Sequence, residues 1–145
     1  MIKFPFEKST SHIFGDVWRP MAQVFFQRKS VDKWRSVWMI VDTGADYTLL
    51  PRFMAQKLEV NVEKECKIFH TSGIGGTERV YLLPKIKVQL GKFERIIPVG
   101  FIDRNEVPPL LGRHLFLETL ETYFSSNHIV HFSDRSFVRS KMKKV

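Results

Sequence analysis

The sequence predicts an all-β domain with one or two short helices, and three observations lead there. Runs rich in β-branched and aromatic residues recur, first as Met21-Ala22-Gln23-Val24-Phe25-Phe26 and then as Ser36-Val37-Trp38-Met39-Ile40-Val41. Polar or glycine-containing stretches of turn length separate such runs along the chain. The 145 residues fit one ordinary domain, and 43% hydrophobic against 26% charged residues is a globular balance that excludes a disordered chain. A chain of this length buries enough surface to need no metal or disulfide staple. Its single cysteine, Cys66, allows no intrachain disulfide.

The elements follow in order. The runs 21–26 and 36–41 flank the polar stretch 27–35, which suggests a hairpin. Residues 51–58 read as a short helix, with Pro51 in its first turn, where a missing N–H costs nothing. A second hairpin is expected over 66–83, with Gly73-Ile74-Gly75-Gly76 at its tip. Strands are expected at 85–90 and 96–102, joined through a turn at Gly91-Lys92, and at 128–132. In residues 113–124, Leu117, Leu120 and Phe124 recur at three- and four-residue spacings, with Leu115 two residues ahead of them, which predicts an amphipathic helix ended by Ser125-Ser126-Asn127.

The charge is uneven. The net +8 falls to +3 once residues 135–145 are set aside, because that tail holds Arg135, Arg139, Lys141, Lys143 and Lys144 and no acid. Such a tail could meet nucleic acid by counterion release. No zinc-finger spacing, RNA-recognition aromatic motif or basic helix accompanies it, so a solvated terminus is the favoured reading. No apolar run is long enough to span a bilayer, and the first residues lack a stretch of signal-peptide length. The expectation is a cytoplasmic protein with no membrane partner.

The chemistry concentrates in three segments. An apolar strand, Trp38-Met39-Ile40-Val41, runs straight into Asp42-Thr43-Gly44-Ala45-Asp46. A strand end desolvates a carboxylate, and Gly44 lets the chain turn so that backbone N–H groups face it. Alone, Asp-Thr-Gly is also an ordinary turn after a strand. The glycine-rich tip at 73–76 would let backbone approach a ligand closely. A phosphate loop is the rival there, but no Gly-Lys-Ser/Thr follows. The third segment, Leu110-Leu111-Gly112-Arg113, is an apolar pair and a glycine at a strand end.

In this order and spacing the three segments resemble the retropepsins, the retroviral-type aspartic proteases with cellular and bacterial relatives, over about residues 19–124. The resemblance implies a closed-barrel acid-protease half that forms a two-fold homodimer and needs no cofactor. It implies that Asp42 is the catalytic aspartate and that Thr43 makes an interlocking contact beneath the site. Gly44, Ala45 and Asp46 would line the cleft, and Gly73, Ile74, Gly75 and Gly76 would form a flap over a peptide or protein substrate. Asp46 and Arg113 would pair within one subunit, with Leu111 and Gly112 supporting the loop. The segment 51–58 is longer and more helical than in the compact viral enzymes and looks closer to bacterial and cellular relatives.

Aspartic proteolysis needs two carboxylates, and the sequence holds one Asp-Thr-Gly with no second copy. Asp16, Asp32, Asp103 and Asp134 lack the following small residue and glycine. The expected enzyme is therefore a homodimer with one Asp42 from each chain. The alternative is a non-catalytic dimerisation or peptide-binding module on the same fold. His128-Ile129-Val130-His131 does not suggest a metal site, because residues three apart on a strand face opposite sides. Neither Ser72 nor Cys66 has a nucleophile motif around it, and Cys66 reads as a small core residue.

Overall fold

A computed structural model of the chain describes residues 1–28, 33–73 and 76–134. Ile74 and Gly75 of the expected flap tip, and the basic tail 135–145, lie outside the described residues.

Strands dominate. An N-terminal strand β1 (Ile2–Pro5) precedes a hairpin of β2 (Glu7–Ser11) and β3 (Gly15–Arg19). The chain continues through β4 (Met21–Gln27), β5 (Trp34–Val41) and β6 (Thr48–Pro51) to the one-turn helices α1 (Met54–Lys57) and α2 (Val62–Glu65). The strands β7 (Lys67–Gly73), β8 (Gly76–Leu90), β9 (Phe93–Ile102) and β10 (Leu110–Leu111) follow. A 3₁₀ turn (Leu117–Thr119) then leads to β11 (Leu120–Phe124) and β12 (Ile129–Asp134).

The seven-stranded sheet has the order β4-β5-β10-β6-β9-β8-β7. It closes on itself where β4 also pairs with β8, through Phe25 opposite Gln89 and Phe26 opposite Val88. This contact covers part of the edge of β4, while β7 stays an edge strand paired with β8. Inward-facing side chains fill the barrel: Ala22, Val24 and Phe26 from β4, Met39 from β5, Val88 and Leu90 from β8, and Ile97, Val99 and Phe101 from β9 are all fully buried. A separate three-stranded sheet, β1-β12-β11, packs Val130 and Phe132 into the same core.

Three expectations change. The helix expected over 113–124 is absent; its place is taken by the 3₁₀ turn and β11. Leu115 sits at φ 57° and Phe116 at φ −125°, ψ −90°, both outside the helical region, and Leu120-Glu121-Thr122-Tyr123-Phe124 pairs instead with β12. The four residues of the expected apolar stripe do not share a fate: Leu117 and Leu120 are buried, whereas Leu115 and Phe124 are exposed. Pro51 ends β6 opposite Ile102, so the helix begins at Met54. The strand expected at 85–90 is the far half of β8, whose register shifts between Leu83 and Ile86. Pro84 lies in that irregularity, where its missing N–H is tolerated.

Candidate active site

The site is built where β10 is threaded between two strands that are consecutive in sequence. β10 runs parallel to β5, with Leu111 opposite Val41, and antiparallel to β6, with Leu110 opposite Leu49. The loop 42–47 must therefore cross over β10, and the crossing holds it at the end of the barrel. Asp42 follows the last residue of β5, its N–H donating to the Leu111 carbonyl at 3.0 Å.

Inside the loop, the Gly44 N–H donates to Asp42 Oδ1 at 3.0 Å and the Ala45 N–H to the Asp42 carbonyl at 3.1 Å. One oxygen of the Asp42 side chain is thus oriented by backbone, as the sequence led one to expect of Gly44. Asp42 is half-buried, while Thr43, Gly44 and Asp46 are exposed and Ala45 is intermediate. The upper half of the loop is held by the segment after β10. The Arg113 N–H donates to the Ala45 carbonyl at 3.0 Å and the His114 N–H to the Asp46 carbonyl at 2.8 Å. The Arg113 guanidinium pairs with the Asp46 carboxylate and reaches the Ala45 carbonyl through Nε at 3.4 Å.

Gly112 is required by close approach. A Cβ there would fall on the Tyr47 carbonyl and within 2.9 Å of the Thr48 backbone nitrogen. Its own N–H donates to the Thr48 hydroxyl at 3.2 Å in a fully buried setting. Sequence reasoning missed Thr48. The signal was a hydroxyl inside the apolar run Thr48-Leu49-Leu50, since a buried hydroxyl needs a partner.

The expected flap hairpin is formed by β7 and β8, paired from Lys67 opposite Leu82 to Gly73 opposite Gly76. Arg104, in the loop after β9, contacts Glu78 near the tip of this hairpin at 3.0 Å and Glu106 of its own loop at 2.6 Å. The Glu106 carboxyl is held below the usual carboxylate range, by backbone N–H groups first and by Arg104 next. Between hairpin and loop lies a mainly apolar groove of about 510 Å³, walled by Tyr47, Phe69, Leu82, Pro84, Pro98 and Leu115. Tyr47 and Phe69 rings lie 6.0 Å apart. Burial, and then the Asp46 charge beside it, pushes the Tyr47 phenol up. Sequence reasoning did not anticipate this groove, because its residues come from five separate stretches of chain.

His128 and His131 do not converge: His128 precedes β12 and stacks on Trp18, while His131 contacts Tyr123. Among the described residues, no group of three or more His, Cys, Asp or Glu side chains could hold a metal ion. Cys66 is partly buried against the core, and its thiol is pushed up chiefly by burial. No helix among the described residues is long and apolar enough to cross a membrane.

A domain made mostly of strands, with two one-turn helices and an Asp-Thr-Gly loop at the end of its sheet, is consistent with the all-β aspartyl protease fold. The family model described as aspartyl protease, a retropepsin-like group, matches residues 30–115, and the chain belongs to this family. Comparison with curated proteins one by one finds no match.

Proposed function

We propose that the chain is an aspartic endopeptidase whose active site forms when Asp42 of one copy meets Asp42 of a second across a two-fold axis. The observation that carries this reading is a single Asp-Thr-Gly loop, braced by backbone hydrogen bonds, with its carboxylate only half-buried. Two carboxylates about 3 Å apart cannot both ionise readily and share one proton. The ionised one takes a proton from a water, whose oxygen attacks the scissile carbonyl carbon. The protonated one donates to the carbonyl oxygen, giving a gem-diol. Proton transfer to the amide nitrogen then releases the amine and the acid as the C–N bond breaks.

The remaining roles are those that the family resemblance implies. Thr43, exposed beside Asp42, is available to contact the second copy. Gly44, Ala45 and Asp46 form the floor on which an extended peptide adds as a strand. Gly73, Ile74, Gly75 and Gly76 are given the role of a covering flap, which the family resemblance implies. Leu111, Gly112 and Arg113 hold the floor in place, and the Tyr47–Leu115 groove accepts an apolar side chain of the substrate. No metal or organic cofactor takes part in this scheme.

The test is cleavage of casein near pH 5 by wild type and Asp42→Asn across a concentration series. Wild-type activity per chain should rise with concentration as dimers form. The variant should stay folded and lose at least about a thousandfold in rate, the scale of losing a positioned acid–base pair. Equal cleavage by both would overturn the reading. No cleavage by wild type at concentrations that give dimers would favour a peptide-binding module.

A further inference from the structure

The β2–β3 hairpin has no part in the catalytic scheme, and its construction calls for a partner. It forms a two-stranded sheet of its own, paired from Glu7 opposite Arg19 to Ser11 opposite Gly15. A lone hairpin is at best marginally stable in water, so an ordered one needs support at its root or a surface to lie on. The root is anchored: the Trp18 ring stacks on His128 at 4.3 Å and 6°, and the Phe6 N–H donates to the His128 carbonyl at 2.9 Å. The tip is shaped as well. The Ser11 hydroxyl accepts the N–H groups of Ile13 at 3.1 Å and Phe14 at 3.2 Å, and Gly15 turns the chain at φ 71°. The residues this tip displays are apolar, Ile13 at 82% and Phe14 at 78% exposure. Fixing two large apolar side chains in water has a cost that contact with another surface would offset.

The charges of the hairpin narrow the partner. Glu7 and Asp16 balance Lys8 and Arg19, and Lys8 pairs with Asp16 at 3.3 Å, so the two strands offer no net field to a polyanion or an anionic lipid surface. The surface that fits is that of a protein. The position of the root narrows it further. β3 passes through Pro20, whose carbonyl accepts the Val41 N–H at 2.9 Å, and Val41 is the residue before Asp42.

We propose that the β2–β3 hairpin is a dimerisation arm whose Ile13–Phe14 tip docks on the second copy of this chain. The inference rests on the homodimer reading above, because a second chain that brings its own Asp42 to this Asp42 must lie beside the root of the arm. Each dimer would carry two such arms, related by the two-fold axis.

The experiment is sedimentation velocity over a concentration series on wild type, on the double variant Ile13→Ser/Phe14→Ser, and on Ile96→Ser. Ile96 is an exposed apolar residue on β9, 57% accessible, and serves as the control. Burying one large apolar side chain shifts an equilibrium by about tenfold or more. The double variant removes four from each two-armed dimer, so it should raise the dimer dissociation constant by about ten-thousandfold. The Ile96 variant should leave it within threefold, and casein cleavage per dimer should be unchanged in both. A double variant that dimerises within threefold of wild type overturns the arm and leaves the dimer standing. An equal shift from Ile96→Ser overturns it as a general loss of apolar surface. Slower casein cleavage with unchanged dimerisation overturns it in favour of a substrate-docking tip. A wild type that cleaves casein yet stays monomeric at all concentrations overturns the homodimer reading, and the arm with it.

Discussion

The loop 42–47, with Thr48 at its exit, and the hairpin of β2 and β3 are both turns between strands, but they are held in opposite ways. The loop is fixed by backbone partners distant in sequence: Leu111 for Asp42, Arg113 for Ala45, His114 for Asp46 and Gly112 for Thr48. The hairpin is fixed by neighbours a few residues away, Ser11 for its tip and its own ladder for its strands, with His128 at the root. A loop locked by long-range contacts cannot shift without disturbing the barrel, which suits a carboxylate that must be positioned closely. A hairpin locked locally can carry an exposed surface without involving the core. Substitutions should therefore matter far more in the first region than in the second.

The largest effect on stability should come from Gly112→Ala. The new methyl would occupy the space of the Tyr47 carbonyl, and backbone on both sides leaves no flexible side chain to yield. Overpacking of this kind costs about 3 kcal/mol or more, read as a lower urea midpoint at unchanged slope. A loss below about 1 kcal/mol would mean that the crossing over β10 is looser than described. Next comes Thr48→Val, which keeps the shape and removes the hydroxyl that accepts the Gly112 N–H. A buried donor left without its partner costs about 1–3 kcal/mol, again read by urea unfolding. Thr48→Ser should recover part of that loss, because it restores the acceptor.

The same contrast explains what was legible in the sequence. The three motifs around Asp42, at the β7–β8 tip and at Gly112 could be read because each packs several chemical requirements into adjacent residues. The β4–β5 hairpin and the strands β8 and β9 were legible from their β-branched and aromatic runs, whereas β6 was not, because Pro51 reads as a helix start. The first three strands were not, because Glu7-Lys8-Ser9-Thr10-Ser11 is a polar stretch whose strand character comes from pairing with β3. The region after Arg113 misled for a related reason. Apolar residues at three- and four-residue spacings fit a helix, and they equally fit a tight turn followed by a strand. The choice was made by β12, which offers Leu120 to Phe124 a ladder. Thr48 and the Tyr47–Leu115 groove stayed hidden because their meaning depends on residues far along the chain.

Two ion pairs give the smallest effects and the sharpest form of the comparison. Arg113 and Asp46 tie the loop 42–47 to the segment after β10, yet their side chains are 48% and 82% exposed. Exposed pairs contribute up to about 1 kcal/mol and weaken in salt, so Arg113→Ala should lower unfolding stability by no more than that. Lys8 and Asp16 pair diagonally across the hairpin, about equally exposed at 53% and 54%. Lys8→Ala loses the pair and the lysine's position 5.7 Å over the Trp18 ring, and neither contact reaches the barrel. Its effect on global unfolding should stay within about 0.5 kcal/mol, the range of surface substitutions away from special features. If Lys8→Ala matched Thr48→Val in a urea titration, the hairpin would be cooperative with the core. Local closure would then be the wrong description of it.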